Sequence, residues 1–241
     1  MVTTFVFVHG AFGSPAELAP AVPYLESRGH RVVNVDLPCE RPDATLEDYA
    51  STVGRAMQGT SGPHILVAYS AGGATIPLVA ARIAVDHLVF AAAVVPVPGQ
   101  SIYEAVGPDT QTAIMSVSID NGDGTRSFDF DLLASLAPPE QREAYLAFLR
   151  ATQRKQGMRA VNQPWPGTGI PDLSRSYILC TEDKIIPPER QRAFAASLGV
   201  TPIELASEHS VFAMKPQDLA SILDSLTGRP ESPGQPSTRN H

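Results

Sequence analysis

One serine in this 241-residue chain stands where a side chain could attack a carbonyl carbon. Ser70 lies in the stretch "VAYSAGGA", after an apolar run and before residues that favour a helix. A sharp strand-to-helix turn with small neighbours exposes the serine hydroxyl and places the next N–H beside it, as a nucleophile requires. The same pattern is typical of an ordinary helix cap, because serine is a favoured capping residue. The stretch alone leaves both interpretations open.

A nucleophilic serine needs a general base, which in this arrangement follows both the serine and the acid along the chain. Three of the six histidines precede Ser70, one begins a predicted strand at residue 87, and one ends the chain. The remaining one, His209, lies in the loop of "ELASEHSVF", after the last predicted strand. It is therefore the candidate base.

The acid that orients the histidine should follow the strand before that one. The stretch "ILCTEDKIIP" offers Asp183 just past a strand end, with the neighbouring Glu182 in reserve. Together Ser70, His209 and Asp183 predict nucleophilic acyl transfer, in which the histidine takes the serine proton and the aspartate holds the imidazole.

An acyl-transfer site also needs N–H donors for the oxyanion of its tetrahedral intermediate. The stretch "VHGAFG" follows the first predicted strand, where one of these donors is found in such sites. Gly10 lets the backbone turn so that the Ala11 N–H can face Ser70, and the Ala71 N–H is the second candidate donor.

The elements that must position these residues alternate between buried-type strands and helices. Strands are predicted at 4–10, 31–36, 64–69, 87–94, 176–180 and 201–206. Helices are predicted at 15–28, 45–58, 71–83, 138–156, 188–198 and 216–226. This alternation indicates an α/β fold with a doubly wound, mainly parallel sheet of about six strands. Ligands bind at the carboxyl ends of such strands, where every candidate above lies.

The alternation is interrupted once, by a proline-rich stretch. We therefore predict a core formed by residues 1–95 and 173–227, and a helical lid formed by residues 96–172. The remaining segment, 228–241, is rich in Pro, Gly and Ser without large apolar residues, so it is predicted to be disordered.

Composition excludes several classes of function. A formal net charge of -7 gives no electrostatic basis for binding nucleic acid or an anionic membrane surface. The sequence shows neither a signal-peptide pattern nor an apolar run long enough to span a bilayer, so a cytoplasmic location is expected. The two cysteines, Cys39 and Cys180, form no CxxC pair, which predicts no metal site and leaves one disulfide possible.

The chain resembles the α/β-hydrolase superfamily in "FVFVHGAFG", "HILVAYSAGGATIP" and "YILCTEDKIIPPERQRAFA". Within it, these stretches together with "LESRGHRVVNVDLP" and "SEHSVFAMKPQDLASIL" resemble the small bacterial esterases related to plant methyl esterases of the salicylate-binding type and to hydroxynitrile lyases. The resemblance implies the α/β-hydrolase fold and the same roles for Ser70, His209 and Asp183. It also implies oxyanion donors at Ala11 and Ala71.

Two departures from that group bear on the reaction. The lyases carry a threonine and a lysine where this chain has Gly10 and Ser210, so lyase activity is disfavoured. The tryptophan that the plant proteins carry after this motif is absent, and Pro15 and Ala16 stand there. The substrate preference of the plant enzymes therefore cannot be carried over.

The expected function is that of a serine hydrolase for a small to medium hydrophobic carboxylic ester or lactone, without metal or cofactor. Its expected partner is that small molecule, with no nucleic acid or membrane, and the chain is expected to be a monomer or homodimer. Candidate pocket residues are Phe12, Tyr69, Phe212 and Trp165. A lyase, a C–C hydrolase, a biosynthetic cyclase or thioesterase, and a ligand-binding relative with little turnover stay open as alternatives.

Overall fold

A six-stranded parallel sheet forms the centre of the computed structural model, which describes residues 2–228. In chain order the strands are β1 Thr4–Val8, β2 Arg31–Val35, β3 His64–Tyr69, β4 His87–Ala91, β5 Ser118–Asp120, β6 Thr125–Phe128, β7 Gln156–Gly157, β8 Ser174–Cys180 and β9 Ile203–Leu205. The central sheet has the order β2-β1-β3-β4-β8-β9, and all its neighbouring strands pair in parallel. The predicted sheet is thereby confirmed.

The register of the sheet places the loop after β1 beside the loop after β3, and these loops carry Ala11 and Ser70. Val8 at the end of β1 is paired with Ala68 of β3, so the loops after these two strands begin side by side. Alternate side chains of β1 enter different apolar layers, because successive residues of a strand point to opposite faces. Phe5 and Phe7 join one buried cluster, and Val6 and Val8 join the other. Burial on both faces explains why the strands read as continuous apolar runs.

The helices cover both faces of this sheet and form most of the segment above it. They are α1 Pro15–Leu18, α2 Val22–Glu26, α3 Leu46–Ala56, α4 Ile76–Ala80, α5 Ile102–Val106, α6 Pro108–Ser116, α7 Phe130–Leu136, α8 Arg142–Thr152, α9 Met158–Asn162, α10 Pro188–Ser197, α11 Val211–Met214 and α12 Pro216–Ser225. The stretch predicted as one helix over 15–28 is divided by a 3₁₀ turn at Ala19–Ala21. Pro20 and Pro23 account for this break, because proline has no N–H to donate within a helix.

The segment 96–172, predicted as a lid, contains α5–α9 and a small antiparallel sheet of order β5-β6-β7. The helix expected over 138–156 is shorter than predicted. A 3₁₀ turn at Pro139–Gln141 precedes α8, and the backbone becomes extended at Gln153 before β7. The small sheet was not predicted, since its strands are too short for a clear period-two pattern. The predicted disordered tail lies outside the described residues, apart from Gly228.

Cys39 and Cys180 are both buried free thiols, so the disulfide that the sequence permitted is not formed. Burial raises the pKa of Cys39 to about 11 and that of Cys180 to about 12. Within residues 2–228 no helix is both long and apolar enough to cross a bilayer.

Candidate active site

Ser70 lies at the turn between β3 and the 3₁₀ helix Ser70–Ala74 that leads into α4. Its φ of 53° is in the left-handed region, which costs a non-glycine residue about 1–3 kcal/mol. The surrounding sheet holds this conformation, because the Ser70 carbonyl accepts the N–H of Val94 at 2.9 Å. Ser70 therefore lies on a sharp turn at the end of a central strand, which is the geometry that the predicted nucleophile requires.

The glycines around this turn are required by close approach of backbone segments. A Cβ added to Gly10 would lie 2.8 Å from Ser70 Cβ. At Gly72 it would lie 2.6 Å from the Val8 carbonyl oxygen, and at Gly73 it would lie 2.0 Å from the Val94 carbonyl oxygen. The small residues of "AYSAGG" therefore let the turn pack between the ends of β1 and β4.

The structure brings Ser70, His209 and Asp183 together, although Ser70 and His209 are 139 positions apart in sequence. The Ser70 hydroxyl lies 3.1 Å from His209 Nε2, and His209 Nδ1 lies 2.7 Å from Asp183 Oδ2. Because a carboxylate only accepts hydrogen bonds, His209 carries its proton on Nδ1. Its Nε2 lone pair then faces the serine hydroxyl, as a general base requires.

Besides the imidazole of His209, three other groups donate hydrogen bonds to the Asp183 carboxylate. Its Oδ1 accepts the N–H groups of Ile185 and Ile186 at 2.8 and 2.9 Å. Its Oδ2 accepts Gln191 Nε2 at 2.8 Å, beside the imidazole. The Asp183 side chain is fully buried, whereas Glu182 is exposed, so the structure assembles the first-choice acid and leaves the reserve in solvent.

The candidate oxyanion loop, His9–Gly13, is fixed by a buried histidine at its start. The Leu37 N–H donates to His9 Nε2 at 3.2 Å, and His9 Nδ1 donates to the Gly10 carbonyl at 2.9 Å. Burial lowers the pKa of His9 to about 4, so the ring is neutral at pH 7. Ala11 and Ala71, the predicted oxyanion donors, both line the cavity that contains Ser70.

Phe12, which follows Ala11 in the candidate oxyanion loop, contacts three residues of the lid segment. The Phe12 N–H donates to Gln156 Oε1 at 3.1 Å, and the Phe12 carbonyl accepts the Arg154 N–H at 2.6 Å. The Phe12 ring stacks on Phe128 with 4.2 Å between ring centroids. Phe12 has a φ of 61°, a left-handed conformation that these contacts hold. The lid segment therefore fixes the backbone directly after Ala11.

A cavity of about 420 Å³ opens above Ser70 and His209, within the size range of small-molecule sites. Most of its wall is apolar or aromatic and comes from the lid segment. The residues concerned include Ile102, Tyr103, Val106, Ile114, Val117, Phe128, Leu133, Leu136, Tyr145, Phe148, Leu149 and Val161.

The four predicted pocket residues divide into two pairs. Phe12 and Tyr69 line the cavity. Phe212 does not, because it packs edge-on against Phe7 and Tyr69 and is only 1% exposed. Trp165 is also absent from the wall, since its indole N–H donates to the Ala74 carbonyl at 2.8 Å and its ring is buried.

Sequence reasoning missed three polar side chains near the site. Gln191 holds Asp183, Gln156 holds Phe12, and Glu17 of α1 lines the cavity. Gln191 lies within the stretch "YILCTEDKIIPPERQRAFA" but was given no role there, whereas Gln156 and Glu17 stand in no motif. Within residues 2–228 no group of three or more His, Cys, Asp or Glu side chains is arranged to hold a metal ion.

The sequence profile of the α/β hydrolase family matches residues 5–222, and the chain belongs to that family. A pyrethroid hydrolase from Sphingobium wenxiniae is 27% identical over 99% of this chain and 92% of its own length. Salicylic acid-binding protein 2 from Nicotiana tabacum is 29% identical over 91% of this chain and 95% of its own. The crystal structure of a pyrethroid hydrolase superposes with a TM-score of 0.75, at 25% identity, over 94% of this chain and 97% of the other.

Proposed function

We propose that this chain is a carboxylic ester hydrolase that acts through an acyl-enzyme on Ser70. The observation that carries the proposal is the continuous hydrogen-bond chain from Ser70 through His209 to the buried Asp183, at the base of an apolar cavity. Relatives with this fold are named as hydrolases and esterases, which supports the same class of reaction here.

In the proposed mechanism His209 Nε2 removes the proton from the Ser70 hydroxyl as its oxygen attacks the ester carbonyl carbon. Asp183 keeps the imidazole in the required tautomer and stabilises the imidazolium. The N–H groups of Ala11 and Ala71 bind the oxyanion, each contributing about 3 kcal/mol to transition-state stabilisation. His209 then protonates the leaving alcohol, and a water activated by the same nitrogen hydrolyses the acyl-enzyme.

The apolar and aromatic wall supports a hydrophobic ester as the substrate. Burying the apolar part of a substrate in such a wall contributes about 25 cal/mol per Å² of buried surface. A strongly hydrated substrate such as a sugar would lose its hydration without enough polar partners in return. The named substrates of the relatives, a pyrethroid and methyl esters, are consistent with this preference.

Intact mass after brief exposure to a fluorophosphonate tests the proposal. We expect stoichiometric labelling of the wild type and none of Ser70→Ala, because the reagent reacts with an activated serine. Turnover of a p-nitrophenyl ester by Ser70→Ala should fall at least about 10⁴-fold in kcat, since the triad members act as a unit.

Two controls separate the proposed site from a nonspecific reaction. Glu182→Gln, which changes an exposed carboxylate beside Asp183, should label like the wild type. Labelling of Ser70→Ala, or no labelling of a folded wild type, would contradict the proposal.

A further inference from the structure

Glu17 is a buried carboxyl group that the proposed mechanism does not use. It lines the same cavity as Ser70 and His209 and is only 5% exposed. Gln153 Nε2 donates to Glu17 Oε1 at 3.3 Å, and Tyr69 lines the same cavity. Gly13 makes room for this group, since a Cβ there would lie 2.6 Å from Glu17 Oε2. The carboxyl is therefore held in one place at the cavity wall.

Within residues 2–228 no lysine or arginine pairs with this carboxyl, and the nearby group whose charge favours its ionised form is His209. Of the described residues that line the cavity, none is Lys or Arg. Among the ion pairs formed by residues 2–228, none includes Glu17. Burial raises the pKa of Glu17 to about 7, although the charge of His209 and a hydrogen bond from Gln153 oppose that shift in part. Buried carboxylates are ordinarily paired with a cation, so a ligand that carries one would stabilise the ionised form of Glu17 in this cavity.

The rest of the wall suits a cation as well. Six aromatic side chains line the cavity together with Glu17. These residues are Phe12, Tyr69, Tyr103, Phe128, Tyr145 and Phe148. Aromatic faces attract ammonium groups, and the attraction is stronger once water is excluded. An alkylammonium group also keeps apolar methyl or methylene surface for the same wall.

We propose that the cavity binds esters that carry an alkylammonium group, with Glu17 as its counter-ion and the aromatic wall around it. This inference deepens the proposed ester hydrolysis and rests on it for the reaction, though not for the binding. We expect anionic esters to be excluded, because their negative charge would be repelled by the Glu17 carboxylate in a cavity that no described lysine or arginine lines.

Turnover of two esters of matched shape tests the preference. Butyrylcholine carries a trimethylammonium group, and 3,3-dimethylbutyl butyrate replaces its nitrogen with carbon. We expect wild-type kcat/KM to be at least about 10-fold higher for the cationic ester, because a buried charge pair is lost with the neutral one. Glu17→Gln should abolish this preference, so that the kcat/KM values of the two esters come within about threefold of each other.

Glu208→Gln is the matched control, because it removes an exposed carboxylate beside His209 without changing the cavity wall. It should keep the wild-type preference. An equal kcat/KM for the two esters in the wild type, or a preference that survives Glu17→Gln, would overturn the subsite.

Calorimetry on Ser70→Ala separates binding from catalysis, with choline and 3,3-dimethylbutanol as the probes. Tighter binding of choline by at least about 10-fold, lost in the double variant with Glu17→Gln, supports the subsite even without ester turnover. Absence of turnover together with this binding would refute the proposed hydrolysis alone. Equal affinity for the two probes would refute the subsite alone.

Discussion

Asp183 shows how single residues define the geometry of this site. Four hydrogen bonds reach its two oxygens, from two backbone N–H groups, one amide side chain and the imidazole. The amide belongs to Gln191, which is fully buried and also bonds the backbone of Cys180 through its Oε1. Gln191 therefore connects the acid to the end of β8 and limits the rotation of the carboxylate.

Gln191→Leu should lower kcat about 10- to 100-fold with little change in KM. The lost hydrogen bond to a charged group contributes about 1.5–3 kcal/mol, and the freed carboxylate no longer aligns the imidazole. Steady-state kinetics on a p-nitrophenyl ester measures this split. Arg192→Ala is the control, because Arg192 lies on the same helix as Gln191 and its exposed side chain pairs with Glu204 of β9. A rise in KM with unchanged kcat would show that Gln191 does not position Asp183.

At the scale of elements, the lid segment and the oxyanion loop form one unit. β7 places Gln156 so that its amide reaches the Phe12 N–H, the Tyr49 hydroxyl of α3 and the Gly157 carbonyl. Two residues earlier, the Arg154 N–H donates to the Phe12 carbonyl. The lid segment thus does more than cover the cavity, since its strand determines the backbone beside the Ala11 N–H.

Gln156→Met should lower kcat about 10-fold while leaving KM within about twofold, because a displaced oxyanion donor weakens transition-state binding only. Tyr49→Phe removes only the hydroxyl that accepts the Gln156 amide proton, so its effect should stay below about threefold. The inhibition constant of a trifluoromethyl ketone should rise in parallel with the loss in kcat. If inhibitor affinity is unchanged in Gln156→Met, the link does not act on the oxyanion site.

At the scale of the whole molecule, two buried groups give opposite pH dependences of stability. The pKa of His9 is lowered from 6.5 to about 4 by burial, so the folded chain excludes a proton that the unfolded chain binds. Stability therefore falls as the pH falls through that window. The pKa of Glu17 is raised from 4.5 to about 7 by burial, so the folded chain keeps a proton that the unfolded chain releases. This contribution falls as the pH rises.

Glu17→Gln should therefore become more stable relative to the wild type as the pH rises from 4.5 to 8. The gain should reach about 3 kcal/mol, because the variant has no carboxyl to ionise in the cavity. Urea unfolding at pH 5 and pH 8 measures the difference in the free energy of unfolding. Glu208→Gln, which removes an exposed carboxylate near the same site, is the matched control. An equal difference at both pH values for Glu17→Gln would contradict the raised pKa.

The sequence by itself determined the parallel sheet, the strand ends and the residues placed there. Strands buried on both faces read as apolar runs, and a strand-to-helix turn at a serine requires the small neighbours that "AYSAGG" supplies. Because parallel strands end at one edge of the sheet, chain order alone predicted that Ser70, Asp183 and His209 would approach one another.

Only the tertiary structure decided which other side chains surround that centre. Phe12 and Gln156 are 144 positions apart, and Glu17 and Gln153 are 136 apart, so no local pattern relates them. The lid segment has short helices and strands without a clear period, and therefore its contacts depend on packing rather than on propensity. Packing also places Trp165 outside the cavity wall, because its indole N–H donates to the buried carbonyl of Ala74.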